Sequence, residues 1–245
     1  MGLSPSTLFH FTSKDGLKGI LKDNFKIKYC RERIEHNQWH LELAIPMVSF
    51  CDIKISEITD HIVKYGYYGI GLSKKWAINK GLHPVIYMNR KSPFSHNLIT
   101  TIHKFISMRN INKYDKESLI DLLRYMKIYE GKFKRRNKII ENYRFSDERE
   151  WRYVPEMILN SKFSSWLTID KYNTPTKKRK ENKKLVNERL YFDANEILYV
   201  IVKKESEINE IINHIRNVKG MNYTMEEVER LMTRILSYER IINDF

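Results

Sequence analysis

The sequence has few of the residues that organise disulfide-rich or membrane-spanning proteins. Its two cysteines, Cys30 and Cys51, have no CxxC spacing, which excludes a disulfide framework and a thiolate zinc site as organising features. The longest apolar runs, such as Ile197–Val202, are far shorter than the roughly 20 residues of a spanning helix. We therefore expect a globular protein of the reducing cytoplasm that makes no contact with a membrane.

The motifs of several large enzyme classes are missing as well. The eight histidines form no HExxH or similar metal-ligand pair, so no metal site is predicted. No GxxxxGK[ST] sequence is present, no GxGxxG opens a helix after a strand, and no GxSxG elbow exists. These absences argue against a zinc hydrolase, a P-loop nucleotidase, a Rossmann dehydrogenase and an α/β-hydrolase.

Basic residues outnumber acidic residues in this chain. The chain has 44 lysines and arginines against 30 aspartates and glutamates, a formal net charge of +14. Such a surface attracts polyanions, and the basic segments 132–144 and 177–184 are candidates for nucleic-acid binding. AT-rich genomes also encode lysine-rich proteins, so the composition alone leaves the function of this charge open.

The pattern of apolar residues predicts an α+β protein. Short strands and helices alternate over about the first 90 residues, a helical pattern follows, and Ile197–Val202 is typical of a buried strand. Residues 174–184 show no apolar periodicity, which predicts an exposed loop. We expect one domain over residues 1–220 with a helical and basic insertion at about 94–144.

The C-terminal segment has a clear start signal for a helix. Thr224 and Glu227 have the spacing of a capping box. Apolar residues follow at helical spacing: Val228, Leu231, Met232, Ile235, Tyr238 and Ile242. The sequence thus predicts one C-terminal helix within residues 221–245, which packs on the domain or on a partner.

Two candidate binding features lie in the N-terminal part of the chain. His10 and Thr12 are two residues apart in a predicted strand, so both side chains face the same side and could share a ligand. Tyr65, Tyr67 and Tyr68 could form an aromatic wall for a planar ring. In both cases the alternative is ordinary packing against neighbouring residues.

A third feature brings two carboxylates together near the start of a late strand. Period-two alternation places Glu148, Glu150 and Arg152 on one face. Like charges this close drive their pKa values apart, and Arg152 could neutralise one of them. The alternative is a solvated acidic strand edge.

Four stretches of the sequence resemble the AbiGi family of bacterial abortive-infection proteins, which confer phage resistance. The resemblance spans about residues 8–215, in the strings LFHFTS, IPMVSFCDIKISEITDHIVKYGYYGIGLSKKWAINKGLHPVIYM, FSDEREWRYVPE and LYFDANEILYVIV. It implies a role in phage defence, as an antitoxin or as a member of a two-gene module with a partner protein.

The same features are more distantly similar to the ADP-ribosyltransferase fold of the His–Tyr–Glu type. This resemblance implies a mixed or antiparallel sheet core with helical insertions, and NAD as the substrate that supplies ADP-ribose. It places His10 and Thr12 at the strand that binds NAD. Glu150 would be the catalytic acid that bonds the nicotinamide ribose, and Glu148 would position the incoming nucleophile.

The remaining residues of this resemblance would hold the dinucleotide. Phe50 fits the second strand motif of the fold, although Ser49 stands where an aromatic residue usually precedes it. Tyr65 is the candidate for stacking on nicotinamide, and Tyr67 and Tyr68 compete for that role. Arg31 could meet the pyrophosphate.

Three functions are compatible with these features, and the third is nucleic-acid binding through residues 132–144 and 177–184. In the first, a cytoplasmic phage-defence protein transfers ADP-ribose from NAD to a nucleic acid or a protein. In the second, a non-catalytic antitoxin or regulator binds a partner encoded in the same defence module. The sequence leaves open whether the protein is an enzyme.

Overall fold

A computed structural model describes residues 4–36, 39–135, 138–156 and 161–244 of the chain. Within these residues the α-helices are α1 (Lys14–Asp23), α2 (Thr59–Tyr65), α3 (Lys74–Asn79), α4 (Pro93–Ile106), α5 (Lys113–Arg124), α6 (Pro175–Lys184), α7 (Ile208–Lys219), α8 (Met225–Met232) and α9 (Tyr238–Asp244). The strands are β1 (Thr7–Thr12), β2 (Phe25–Lys26), β3 (Lys28–His36), β4 (Trp39–Cys51), β5 (Tyr68–Ser73), β6 (His83–Pro84), β7 (Ile86–Met88), β8 (Met126–Ile128), β9 (Glu130–Arg135), β10 (Lys138–Arg144), β11 (Glu150–Tyr153), β12 (Leu167–Thr168), β13 (Arg189–Leu190), β14 (Ile197–Val202) and β15 (Ile235–Ser237).

Helices and mixed sheets together confirm the predicted α+β class. β7 pairs with β8 and β14 with β15 in parallel, and other pairs, such as β1 with β5, are antiparallel. The chain divides into two compact units. The first unit holds the chain up to Lys26, Ser49–Leu82 and the chain from Arg189, and the second holds Ile27–Val48 and His83–Glu188. Two compact units do not decide between one domain and two, so the domain over residues 1–220 stays a prediction.

The first unit is built around strands in the order β15-β14-β5-β1. Ser13 caps α1 by accepting a hydrogen bond from the Gly16 N–H at 3.1 Å, as its residue type favours. Leu17, Ile20 and Leu21 form the buried stripe of this helix. The spacing that predicted the helix therefore also identifies its packed face.

Two glycines of β5 lie against aromatic rings of β1. A Cβ atom on Gly69 would stand 2.7 Å from Phe11 Cδ1, and one on Gly71 would stand 2.8 Å from Phe9 Cε1. Both rings are buried. Glycine inside a strand indicates a close approach, and in β5 the approaching groups belong to the protein's own core.

The predicted C-terminal helix is wrong in its second half. The Thr224–Glu227 capping box starts α8 as expected, but Ile235–Ser237 forms β15, which pairs in parallel with β14. At the open side of β14, Ile235 and Leu236 gain backbone hydrogen bonds and partial burial, and Ser237 is buried. Helix α9 then ends the described chain.

The second unit contains a long hairpin and two helices that cover it. β3 and β4 pair antiparallel from Lys28 opposite Met47 to His36 opposite Trp39. α4 and α5 bury apolar side chains against this hairpin in one cluster, which includes Ile34, Leu43, Ile45, Met47, Ile99, Ile102 and Leu123. The helical part of the predicted insertion is confirmed. Its basic end, residues 132–144, belongs to the β9–β10 hairpin, and residues 136–137 lie outside the described chain.

The loop predicted over residues 174–184 is wrong, because Pro175–Lys184 forms α6. Thr174 caps this helix by accepting from the Lys177 N–H, and Pro175 occupies the first turn. Apolar periodicity could not reveal α6, since polar contacts of Asn182 and the buried side chain of Leu185 hold it in place. Among the described residues, no helix is long and apolar enough to cross a membrane.

Substituting Gly66 tests the close packing at the end of α2. Its φ of 135° is one that residues with a Cβ atom rarely adopt, and a Cβ atom would overlap the Thr12 carbonyl oxygen. We expect Gly66→Ala to lower the free energy of unfolding by more than about 2 kcal/mol. Gly19→Ala, inside α1 with open space around it, should raise this free energy by about 0.5–1 kcal/mol. Chemical denaturation measures both, and equal effects would contradict the prediction.

Candidate functional site

The structure divides the predicted site residues between the two units. The first unit contains the residues proposed to bind NAD through one strand pair and an aromatic wall: His10, Thr12, Phe50, Tyr65, Tyr67 and Tyr68. The second unit contains the two candidate acids and the candidate pyrophosphate ligand: Glu148, Glu150 and Arg31.

His10 and Thr12 share one face of β1, as the period-two pattern predicted. Both are half-buried, whereas Phe9 and Phe11 between and beside them are buried. His10 Nδ1 lies 2.8 Å from the Ser49 carbonyl oxygen. Because a carbonyl only accepts, this contact places a proton on Nδ1 and leaves Nε2 as the acceptor in the neutral ring. A role of either residue in binding NAD stays a prediction.

Phe50 lies in an aromatic part of the core. It is 2% exposed, and its ring meets Phe25 and Trp76 edge-on at centroid distances of 5.2 and 5.7 Å. The ring of His10 is 5.7 Å from Phe50. Phe50 therefore supports the position of the histidine by packing, which is a different function from direct contact with a ligand.

The three tyrosines have different surroundings. Tyr65 is stacked on His61, with centroids 4.4 Å apart. The ammonium of Lys203 lies 4.8 Å from the centre of the Tyr67 ring. Tyr68 donates a hydrogen bond of 2.7 Å from its hydroxyl. Tyr65 and Tyr67 thus already have a planar or cationic group on one ring face, and the choice of a nicotinamide-stacking residue stays a prediction.

The hydroxyl of Tyr68 is held in its neutral form. Burial raises the pKa of Tyr68 to about 12, and the hydrogen bond to the Glu207 carboxylate contributes in the same direction. Lys14 also pairs with Glu207, at 3.2 Å. Tyr68 acts here as a hydrogen-bond donor between β5 and the start of α7.

Arg31 does not meet the candidate acids. It forms an ion pair with Glu42 on the neighbouring strand β4. Its neighbour in β3, Glu32, is the residue that binds Arg152, at 3.0 Å. Since adjacent residues of a strand point to opposite faces, Arg31 lies on the side of β3 away from that ion pair.

Glu148 and Glu150 do come together, and a short break in the backbone positions them. Glu148 ends a 3₁₀ turn, and Glu150 begins β11. Arg149 between them has a left-handed conformation with φ 45°, which is strained for a residue other than glycine. Glu150 and Arg152 then share the buried face of β11, which confirms their predicted alternation and excludes a solvated acidic edge.

A buried lysine that the sequence analysis missed links the two acids. The Lys127 ammonium donates to Glu148 Oε2 at 2.9 Å and to Glu150 Oε2 at 2.5 Å. Arg152 Nε donates to the other Glu150 oxygen at 2.7 Å, and its far end reaches Glu32. We call these five residues, Glu32, Lys127, Glu148, Glu150 and Arg152, the acid cluster. Lys127 had no sequence signal, because the contact joins β8 to a turn more than 20 residues later.

Tyrosine hydroxyls complete the hydrogen bonding around the acid cluster. The Tyr143 hydroxyl donates to Glu148 Oε1 at 3.1 Å, and the Glu150 N–H donates to the Tyr87 hydroxyl at 2.8 Å. Burial raises the pKa of Tyr143, and the Glu148 charge raises it further. Burial likewise raises the pKa of Tyr87, so both hydroxyls stay neutral.

The acid cluster keeps Glu150 ionised. Burial alone would raise the pKa of Glu150, but the Arg152 and Lys127 charges outweigh it and hold that pKa well below its usual range. In the same way burial opposes the charge of Lys127, and the carboxylates of Glu150 and Glu148 raise its pKa above the usual value. Three carboxylates thus face two cations, with the Glu150 side chain 6% exposed.

Each oxygen of Glu150 already accepts a hydrogen bond from a cation. A ribose hydroxyl that bonded to Glu150 would share one of these oxygens with Lys127 or Arg152. No three His, Cys, Asp or Glu side chains of the described chain are grouped so that they could hold a metal ion. In the described chain the acid cluster pairs charges of β8, β11 and β3, and a catalytic role of Glu148 or Glu150 stays a prediction.

The relatives of this chain agree with the resemblance seen in its sequence. The family described as "Putative abortive phage resistance protein AbiGi, antitoxin" matches residues 23–203. The chain belongs to the AbiGi family. The "Abortive phage resistance protein AbiGi" of Lactococcus lactis subsp. cremoris is 29% identical over an alignment 243 residues long. The match covers 89% of this chain and 94% of that protein. No solved structure matches the chain. The ADP-ribosyltransferase-like fold stays a prediction.

Removing the charge of Glu150 should destabilise the protein. Glu150→Gln leaves Arg152 and Lys127 buried without one of their carboxylates, and breaking a buried ion pair from one side costs about 3–5 kcal/mol. We expect a loss of about 3 kcal/mol in the free energy of unfolding, measured by urea denaturation. The matched control is Glu156→Gln at an exposed acid, with a change below about 0.5 kcal/mol. A loss below about 1 kcal/mol for Glu150→Gln would contradict a stabilising role.

The stabilisation by Glu150 should depend on pH in the acid range. Its pKa is lower in the folded than in the unfolded chain, so its contribution is complete above the ordinary glutamate pKa of about 4.3 and disappears as the pH falls below it. We expect the difference in unfolding free energy between wild type and Glu150→Gln to narrow between about pH 5 and pH 2. Urea titrations at several pH values measure this difference. A difference that stays constant with pH would show that the charge of Glu150 does not stabilise the fold.

Proposed function

We propose that this AbiGi-family protein is the non-catalytic, antitoxin-type component of a phage-defence module and acts by binding a partner protein. The observation that carries the proposal is the acid cluster. Glu150, the acid on which transferase chemistry would depend, has both oxygens engaged by Arg152 and Lys127. The family description, which includes the word antitoxin, points to the same role.

The energetics of the acid cluster favour a structural use of its carboxylates. Arg152 is fully buried, and it also donates to the Arg124 carbonyl oxygen at 2.8 Å. Taking Glu150 away from it would leave a buried guanidinium short of a counter-charge, which costs several kcal/mol. A substrate that drew Glu150 away from Arg152 would have to supply that free energy.

An ADP-ribosyltransferase that uses NAD is the second candidate, and one observation favours it. The lowered pKa of Glu150 keeps it anionic, and an anionic acid could stabilise the positive charge that forms on the ribose when the nicotinamide bond breaks. Glu148, which shares Lys127 with it, would then act on the incoming nucleophile.

Expression together with the product of the adjacent gene tests the antitoxin role. If that product arrests growth when expressed alone, we expect this protein to restore growth and to co-purify with it as a stable complex. Restoration should also occur with Glu156→Gln, which leaves the acid cluster intact. Failure to restore growth, or to form a complex at micromolar concentrations, would rule out the role.

Labelling with a biotinylated NAD analogue tests the transferase candidate on the same preparations. The antitoxin role predicts no transfer of label to nucleic acid or protein by the wild type. Transfer that is lost in Glu150→Gln and kept in Glu156→Gln would replace the antitoxin proposal by the transferase. Circular dichroism of both variants shows that the comparison is made on folded protein.

A further inference from the structure

Helix α6 presents a dense positive surface in the second unit. Exposed cations occupy six of its positions, and we call this surface the basic face of α6: Lys177, Lys178, Arg179, Lys180, Lys183 and Lys184. One acid, Glu181, lies within the helix and is buried. The sequence identified residues 177–184 as basic, and the structure adds that they form an ordered helix.

Among the described residues only Lys184 of the basic face forms an ion pair, and the Lys178 ammonium lies 5.5 Å from the centre of the Tyr172 ring. Lys184 pairs with Glu181 at 2.6 Å, and Lys177 donates to the Asp170 carbonyl oxygen at 2.6 Å. Arg179, Lys180 and Lys183 have no ion-pair partner among the described residues. Their charge is therefore available to a ligand.

The basic face does not stabilise its own helix. Lys180 and Lys183, like Arg179 and Lys183, are three or four residues apart, and like charges at that spacing destabilise a helix by about 0.2–0.5 kcal/mol per pair. Cations in the first turn, such as Lys177, also oppose the helix dipole. The helix is held instead by Asn182, which accepts from the Tyr29 N–H at 2.9 Å and donates to the Tyr172 hydroxyl at 2.9 Å.

We propose that the basic face of α6 binds the phosphate backbone of a nucleic acid. This binding is independent of the acid cluster and of the antitoxin role proposed above. From Lys177 to Lys184 the helix rises about 10 Å, and duplex DNA carries about six phosphate charges over that length. Arg179, Lys180 and Lys183, which form no ion pair among the described residues, lie on one side of the helix and can meet several of these phosphates. The net charge of +14 adds long-range attraction.

Chemical composition distinguishes a nucleic acid from other polyanionic partners. A helix that binds a lipid surface needs an apolar face, and a protein interface needs an apolar core. Apart from Pro175, α6 consists of Thr, Lys, Arg, Glu and Asn residues. Nucleic-acid interfaces, in contrast, are polar and positively charged. Because phosphates carry no base identity, the expected binding is independent of sequence.

Fluorescence anisotropy with labelled DNA and RNA duplexes of about 30 random base pairs tests the proposal on the full chain. We expect the triple variant R179Q/K180Q/K183Q to weaken binding about tenfold or more at low salt. The slope of log affinity against log salt should fall by about 2–3, since each phosphate contact contributes about 0.9. The matched control is K22Q/K75Q/K80Q, with the same loss of charge on exposed lysines of α1 and α3, and it should bind nearly as the wild type.

A charge-conserving variant separates loss of charge from loss of structure. R179K/K180R/K183R should bind both duplexes within about threefold of the wild type, because phosphate contacts need charge more than a particular side chain. The proposal is overturned if R179Q/K180Q/K183Q binds as the wild type, or if the control variant loses as much affinity. It is also overturned if polyglutamate of equal charge competes as well as the duplexes, since the basic face would then select an acidic protein.

Discussion

The second unit buries charge in close ion pairs, such as those of Arg152 with Glu150 and Glu32. An ammonium or carboxylate transferred from water into a protein interior costs several kcal/mol, and only close pairing with further hydrogen bonds recovers it. Lys127 satisfies this condition by touching Glu148 and Glu150 at once. Because the contact joins β8 to β11 and to the turn before it, it fixes the positions of these three segments relative to one another.

The same constraint decides how the two glutamates can be used. A pair of carboxylates in sequence suggests acid–base or nucleophilic chemistry, but chemistry needs an oxygen that can reach a substrate. In this fold the lowered pKa of Glu150 and the hydrogen bonds that both of its oxygens accept have one cause, the proximity of Lys127 and Arg152. A strongly perturbed pKa is therefore evidence of an ion-pair network here, and it becomes evidence of catalysis only where a hydrogen-bonding position stays open.

The sequence predicted best those features in which local pattern and burial coincide. The helix at Leu17–Leu21, the face shared by His10 and Thr12, and the buried alternation of Glu150 and Arg152 all follow from spacing alone. The family resemblance rested on ordered strings of residues, and the relatives confirm it.

The errors arose where distant segments or polar contacts determine structure. Ile235 continued a helical stripe in sequence, yet the open side of β14 converts it into strand. Lys127 could not be distinguished from other lysines in the sequence, because its partners Glu148 and Glu150 are more than 20 residues away. Helix α6 lacked the apolar periodicity by which helices are recognised, since Asn182 and backbone groups of β3 hold it. Pairwise contacts between remote segments have no signature in a single sequence.

β3 connects the two polar features of the second unit. Near its start, the Tyr29 N–H and C=O are satisfied by Asn182 of α6 and by the Tyr172 hydroxyl, at 2.9 and 2.7 Å. Three residues later, Glu32 binds Arg152 of the acid cluster. Hydrogen bonds from side chains to the backbone satisfy the polar groups at the edge of β3. The buried ion pair of Glu32 holds one face of β3 against β11. β3 thus supports α6 through the backbone of Tyr29, and it supplies Glu32 as a counter-charge for the buried Arg152.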